Sequence, residues 1–300
     1  MVNDEVRTAL HERRGVVALE STIVVQGLPA PINLEVAADC EAVIREGGAV
    51  PATIGLLDGR IVVGLTMEQV ARLAAPSHGT AKLSTRDLGP ALATRQDGAT
   101  TVAATIACAA RVGIKVMATG GLGGVHRDAI TSFDESADLT ALSRTSVLVV
   151  ASGVKSILDI GATLERLDSL GVPVIGYQTK SFPGFYRSDS GFVVDWSVEN
   201  AREVAAAFLA HQLFSSSGLL LANPVDQERQ LDEALHDQAL ASGLAQVAAL
   251  SITGKEVTPV LLGEFARFTS GLSVQVNRDL VVGNARLAGR VATELATLSA

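Results

Sequence analysis

Cysteine is almost absent: two in 300 residues, Cys40 and Cys108. They form no CxxC pair and no Cys/His spacing for a metal, so thiolate metal and redox motifs drop out. Both fall in helix-like patterns and read as buried, reduced thiols. Long apolar runs are missing too. None approaches the roughly 20 residues of a membrane helix, and the opening MVNDEVRTALHERR is too charged for a signal-peptide core. Positive charge is in deficit, with 24 Lys+Arg against 32 Asp+Glu and a formal net charge of −8. A surface that coats nucleic acid is therefore not expected, although a local basic pocket for one phosphate is compatible with it. There is no G-x-x-x-x-G-K-[ST] loop, and Gly121-Leu122-Gly123-Gly124-Val125-His126 lacks the last glycine of G-x-G-x-x-G, which argues against nucleoside-triphosphate and dinucleotide chemistry. No linker, charge block or internal repeat divides the chain. The expectation is one cytoplasmic domain over residues 1–300.

What is present is core material: 48% hydrophobic and 19% charged residues, without the composition of a disordered chain. Strands are predicted at 16–20, 50–57, 60–65, 114–119, 146–152, 172–177 and 218–223. Helices are predicted at 34–46, 67–74, 101–112, 156–169, 198–213, 227–250, 257–268 and 274–297. Strand–helix alternation with uniformly apolar strands implies an α/β fold, a mainly parallel central sheet flanked by helices on both faces. Asp58-Gly59 between two strands adds one small antiparallel hairpin. Ligands of such sheets sit beyond the carboxyl ends of the strands. Glu20, Thr119 to Arg127, Ser152 to Lys155 and Asn223 all fall at such ends, which points to a single composite site.

The densest chemistry lies between Ala118 and Asp159. A glycine cluster, ATGGLGGVHR (118–127), offers positive φ and close backbone approach to a ligand or to metal-bound water, or else a tight structural turn. Three acids within five residues follow, Asp134, Glu135 and Asp138; they suit Mg²⁺ or Mn²⁺, or the capping of a helix begun by Ser136. His126 reads as structural. Lys155, past the apolar SVLVVASG, is either a desolvated amine nucleophile or half of an (i, i+4) pair with Asp159. Glu20 ends a strand beside apolar neighbours, where burial favours a general acid, or a bonded turn. Lys82, with Ser84, Thr85 and Arg86, could hold a phosphate or lie in a solvated loop. The 100–105 threonine-rich run opens a helix whose N-terminus suits an anion or an ordinary cap. Asn277 and Asn284 share a late helix and either reach the pocket or pair locally.

Taken in order, ALESTIVVQGLP (18–29), GAVPATIGLLDGRIVVGL (48–65), KLSTRDL (82–88), ATGGLGGVHR, FDESADL (133–139), SGVKSILD (152–159), GVPVIGYQT (171–179), ANP (222–224), GKEVTP (254–259) and NARLA (284–288) resemble the pseudouridine-5′-phosphate glycosidase family, which also contains indigoidine synthase A-like proteins. The likeness runs from about Val16 to the C-terminal helix. It implies reversible cleavage of the C–C glycosidic bond of pseudouridine 5′-phosphate to ribose 5-phosphate and uracil. It also implies a divalent metal, typically Mn²⁺, and a homotrimer. On this likeness the nucleophilic lysine falls on Lys155, the proton donor on Glu20 and the metal-ligand aspartate on Asp134. Substrate contacts fall on Lys82, Val102, Ser136, Ala137 and Asp138, and less securely on Asn277. Other readings stay open here: an indigoidine-synthesis-associated relative acting on another ribosyl or pyrimidine compound, an N-riboside hydrolase, or a non-catalytic sugar-phosphate sensor.

Overall fold

β-Branched and leucine-rich runs, apolar at nearly every position, can be buried on both faces only inside a sheet covered on both sides. The computed structural model describes residues 1–252, 254 and 257–299. The strands are β1 (Val16–Glu20), β2 (Val50–Leu57), β3 (Arg60–Val63), β4 (Ala81–Leu83), β5 (Gly98–Thr100), β6 (Val116–Ala118), β7 (Leu148–Ala151), β8 (Val174–Tyr177), β9 (Trp196–Val198) and β10 (Leu219–Ala222). The helices before the acidic turn are α1 (Asp4–His11), α2 (Ile32–Glu46), α3 (Met67–Ala74), α4 (Thr85–Thr94) and α5 (Val102–Arg111). They continue with α6 (Ala129–Ser132), α7 (Ala137–Ser143), α8 (Ile160–Ser169), α9 (Ala201–His211), α10 (Glu233–Ala249), α11 (Val257–Phe268) and α12 (Leu272–Leu298). A π-helical turn, Ile23–Gly27, follows β1.

The sheet order is β4-β5-β2-β1-β6-β7-β10-β8-β9, with β3 hairpinned onto β2. Every pairing is parallel except β2–β3 and β2–β5. The hairpin at Asp58-Gly59 is therefore as expected, and β5 adds a second antiparallel pair. β1, β2, β7 and β10 are buried at every position. Helix α12 packs with α2 and α9 over β1, β6 and β7, while α5, with α7 beside it, covers β1 and β2 from the opposite face. Helices α10 and α11 pair with each other, and α11 reaches α12 and the π-helical turn.

Three strands went unread: β4, β5 and β9 have three residues each, too few to show a period. Helices α1, α4, α6 and α7 were also missed, although the helical start at Ser136 was anticipated and Ser136 does cap α7. Cys40 and Cys108 are buried, and desolvation pushes their thiols up to about 12 and about 11. They are inert at neutral pH. Among the described residues no helix is long and apolar enough to cross a membrane. In the GKEVTP stretch, Lys255 and Glu256 lie outside the described residues.

Candidate active site

Parallel pairing of β1, β6, β7 and β10 brings four chain exits to one edge of the sheet. Glu20 closes β1 and is buried. Its carboxylate accepts hydrogen bonds from the hydroxyls of Thr22 and Thr119. The sequence suggested apolar neighbours for this acid; the structure supplies two hydroxyls, one from the next turn and one from the end of β6. Behind it, Ser21 Oγ donates to Ile54 O at 2.7 Å and accepts Thr100 N–H at 2.9 Å. Thr100 Oγ1 donates to the same carbonyl at 2.8 Å. Ile54 is the register partner of Glu20, so these bonds hold the start of α5 level with the acid.

The glycine cluster works by close approach and not by positive φ, which none of Gly120, Gly121, Gly123 or Gly124 adopts. A Cβ on Gly123 would lie 2.3 Å from Ser136 Oγ and 2.7 Å from Asp138 Oδ2. One on Gly121 would lie 2.6 Å from the Phe185 ring. Asp138 is the clamp: Oδ1 accepts Ala103 N–H and Oδ2 accepts Gly123 N–H, both at 2.9 Å. It ties the loop to the first turn of α5, where a carboxylate is favoured by the helix dipole. That start is thus occupied by a side chain, and Thr101 caps it as well. The Val102 N–H is left without an acceptor among the described residues. Replacing Asp138 by alanine strands two buried N–H groups at about 1–3 kcal/mol each. Chemical denaturation should therefore show a loss of about 2–6 kcal/mol, and a loss below about 1 kcal/mol would remove the clamp from this account.

Lys155 stands on the loop after β7, half-buried. Lys155 N–H donates to Leu122 O at 3.2 Å and Leu122 N–H to Gly153 O at 3.0 Å, so the lysine loop and the glycine loop are laced together. Gly153 sits at φ +73°, and a Cβ there would lie 2.0 Å from Pro183 O; this position does require glycine. The predicted helix 156–169 begins only at Ile160, because residues 152–159 are spent on these bridges and Asp159 caps the helix through Ala162 N–H at 2.9 Å. The suggested Lys155–Asp159 helical pair is therefore not formed. Among the described residues the Lys155 ammonium makes no ion pair and no hydrogen bond.

The three acids of the 134–138 turn separate. Glu135 pairs with Arg166 at 2.9 Å, and both Asp138 oxygens are committed to the clamp. Asp134 keeps its carboxylate, with Oδ2 3.9 Å from His126 Nδ1, beyond hydrogen-bonding distance. The expected three-acid metal set is thus corrected. Among the described residues no group of three His, Cys, Asp or Glu side chains is placed to hold a metal. Asp134 alone suits a hard cation that keeps most of its water, as Mg²⁺ and similar ions do.

The late asparagines also part. Asn284 is fully buried, its amide donating to Thr119 O at 2.8 Å while Oδ1 accepts from Asn223 at 2.9 Å. Asn284 and Asn223 therefore stitch α12 to the ends of β6 and β10, outside the cavity. Asn277 is 4% exposed and its Oδ1 has no partner among the described residues. A cavity of about 300 Å³ gathers Glu20, Lys82, Val102, Asp134, Lys155 and Asn277. Ser136, Ala137, Asp138 and His126 line it too, whereas Thr85, Ser152, Asn223 and Asn284, also singled out from sequence, are not in its wall. Lys82 lies on β4, and Ser84 begins α4 in a capping box with Asp87. Thr22, Gln26, Phe185, Pro259 and Leu262 complete the wall and were not foreseen; Phe185, in the left-handed region at φ +63°, carries no sequence signal for it.

The family model for indigoidine synthase A like protein matches residues 5–294. A Salinispora tropica protein named pseudouridine-5′-phosphate glycosidase is 56% identical over 298 residues, covering 99% of this chain and 92% of its own. A Streptomyces griseus protein of the same name is 51% identical with the same coverage. Among solved structures, the prealnumycin C-glycosynthase AlnA in complex with ribulose 5-phosphate superposes with a TM-score of 0.91 at 40% identity, covering 100% of this chain and 97% of AlnA. An indigoidine synthase A-like protein of Thermotoga maritima gives 0.88 at 35%, covering 95% and 94%.

Proposed function

We propose that this chain, which belongs to the indigoidine synthase A like family, reversibly cleaves the C–C glycosidic bond of pseudouridine 5′-phosphate to ribose 5-phosphate and uracil. The observation that carries the reading is Lys155 and Glu20 in one cavity, delivered by β7 and β1, with Lys82 and Arg86 on its β4 side. The names of the relatives support the substrate, and AlnA supports a sugar phosphate and C-glycoside chemistry on the same scaffold.

The bond to be broken explains the unusual pair. An ordinary glycosidase protonates a heteroatom leaving group with one of two carboxylates. Here the leaving atom is C5 of uracil, which has no lone pair to protonate. Lys155 Nζ attacks C1′ in its neutral form, the C1′–O4′ bond breaks, and Glu20 delivers a proton to O4′. The new secondary ammonium gives up a proton to the Glu20 carboxylate, and its freed lone pair then drives cleavage of C1′–C5 as that proton passes to C5 of the base. Uracil departs, the opened sugar remains as a lysine iminium, and water hydrolyses it to ribose 5-phosphate. Lys82, Ser136 and the Val102 N–H bind and orient the substrate. Asn277 Oδ1 accepts from a donor on it, and Asp138 positions the loops around it.

Mn²⁺ or another divalent cation, one per subunit, is part of the reading, with Asp134 as its protein ligand. When bound it supplies positive charge and ordered water against charge developing on the base. Asp134→Ala should abolish Mn²⁺ binding in equilibrium dialysis and lower uracil release by about 100-fold. Undiminished Mn²⁺ binding would move the ligand elsewhere. Residues 1–300 act as a single domain in a cytoplasmic homotrimer on this reading; exposed Ile130 and Phe133 beside Asp134 are apolar surface that suits assembly. The deciding assay is uracil release from pseudouridine 5′-phosphate by the purified chain with Mn²⁺. No release, or release from uridine 5′-phosphate instead, defeats the proposal.

A further inference from the structure

Beside the substrate cavity opens a second one of about 260 Å³. The two share Gln26, Gly27, Pro259, Leu262 and Asn277 in their walls. The rest of the second is mostly apolar: Val25, Leu28 and Pro29 from the turn after β1, Ala266 on α11, Val274 on α12, and Tyr186. None of its described lining residues is charged, whereas the first cavity has Lys82 and Arg86. Among the described residues a phosphate finds no cation in the second cavity. The uncharged base is the part of the substrate that can face it.

Two further observations mark this as ligand space. Asn277 lines both cavities, is 4% exposed, and has its Oδ1 unpartnered among the described residues; a buried acceptor without a donor is costly unless a ligand supplies one. Gly263 sits within α11 on the cavity wall, and a Cβ built there would meet no described atom within 4 Å. Glycine weakens a helix relative to alanine, and no described neighbouring atom demands it here. The size is adequate, since an apolar cavity of about 150 Å³ already admits benzene.

We infer that the second cavity is an aglycone subsite admitting uracils that carry an apolar aryl substituent, so that the chain makes and cleaves C-glycosides larger than that of uracil. The inference rests on the C-glycosidic reading above. In the synthetic direction the base loses its C5 hydrogen as a proton and C5–C1′ forms. The anomeric hydroxyl leaves as water, with no net oxidation or reduction.

The test incubates the full chain with Mn²⁺, ribose 5-phosphate and, in separate arms, uracil, 1-benzyluracil or 3-benzyluracil, and follows C-glycoside by mass spectrometry. At least one benzylated base should react with kcat/KM within about tenfold of uracil. Gly263→Leu, and separately Ala266→Leu, should lower the benzylated reaction by about tenfold or more while uracil stays within about twofold. Product from uracil and from no benzylated base, or equal losses in both arms, overturns the subsite. Product from no base at all overturns the C-glycosidic reading and the subsite with it.

Discussion

Lys155→Ala is expected to lose uracil release by about 10⁴-fold or more, the scale seen when a covalent nucleophile is removed. Binding of ribose 5-phosphate, read as a thermal shift, should survive, because Lys82, Ser136 and the Val102 N–H line the cavity independently of it. Lys155→Arg should be equally inactive: a guanidinium stays charged and cannot attack carbon. The expectation follows from placement. The lysine is fixed by backbone bonds to the glycine loop and stands half-buried on the cavity wall, with no described side chain engaging its ammonium. A buried structural lysine would be paired. Lys155→Ala retaining activity within about tenfold would leave the amine with a binding role only.

Glu20→Gln should lower kcat by about 10²–10⁴-fold, the usual contribution of a positioned general acid. Glutamine keeps the shape of the carboxylate and can still engage the hydroxyls of Thr22 and Thr119. Stability should therefore change by less than about 1 kcal/mol, and KM should change little, because the lost proton is needed in the transition state and not for binding. A variant with wild-type kcat would show that the acid holds β1 and β6 together and nothing more. A variant that lost kcat and stability together would leave the two roles unseparated, and Thr119→Val would then part them. That change removes the cross-strand bond while keeping the acid, so it should lower stability more than kcat.

The scaffold was legible where burial wrote it into the residues. β1, β2, β7 and β10 are apolar on both faces because helices cover both faces, and that pattern survives without coordinates. The three-residue strands were silent, and β5 is instructive among them. It returns alongside β2 through hydroxyl bonds between Ser21, Thr100 and Ile54, a tertiary arrangement that periodicity does not encode. Helix α8 was placed four residues too early because its pattern counts apolar residues, whereas its start is set by Asp159 and by bridges of the lysine loop.

For the site, residue types at strand ends located Glu20, the glycine loop and Lys155, while the family resemblance assigned their roles. The acidic turn shows the limit. Asp134, Glu135 and Asp138 are one carboxylate cluster in sequence and all line the cavity, yet one keeps its carboxylate uncommitted, one pairs with Arg166 and one clamps two backbone amides. Asn277 and Asn284 were indistinguishable for a geometric reason. Seven residues apart, they lie on nearly the same stripe of α12 but about 10 Å apart along its axis. One meets the cavity and the other meets the carbonyls of Thr119 and Gly120.

The most direct measurement is borohydride reduction during turnover of pseudouridine 5′-phosphate, followed by peptide mass spectrometry. A single reduced sugar-phosphate adduct carried by Lys155, absent without substrate, is what a covalent amine mechanism produces. An actively turning-over enzyme that yields no adduct, or yields one on a different lysine, would contradict it.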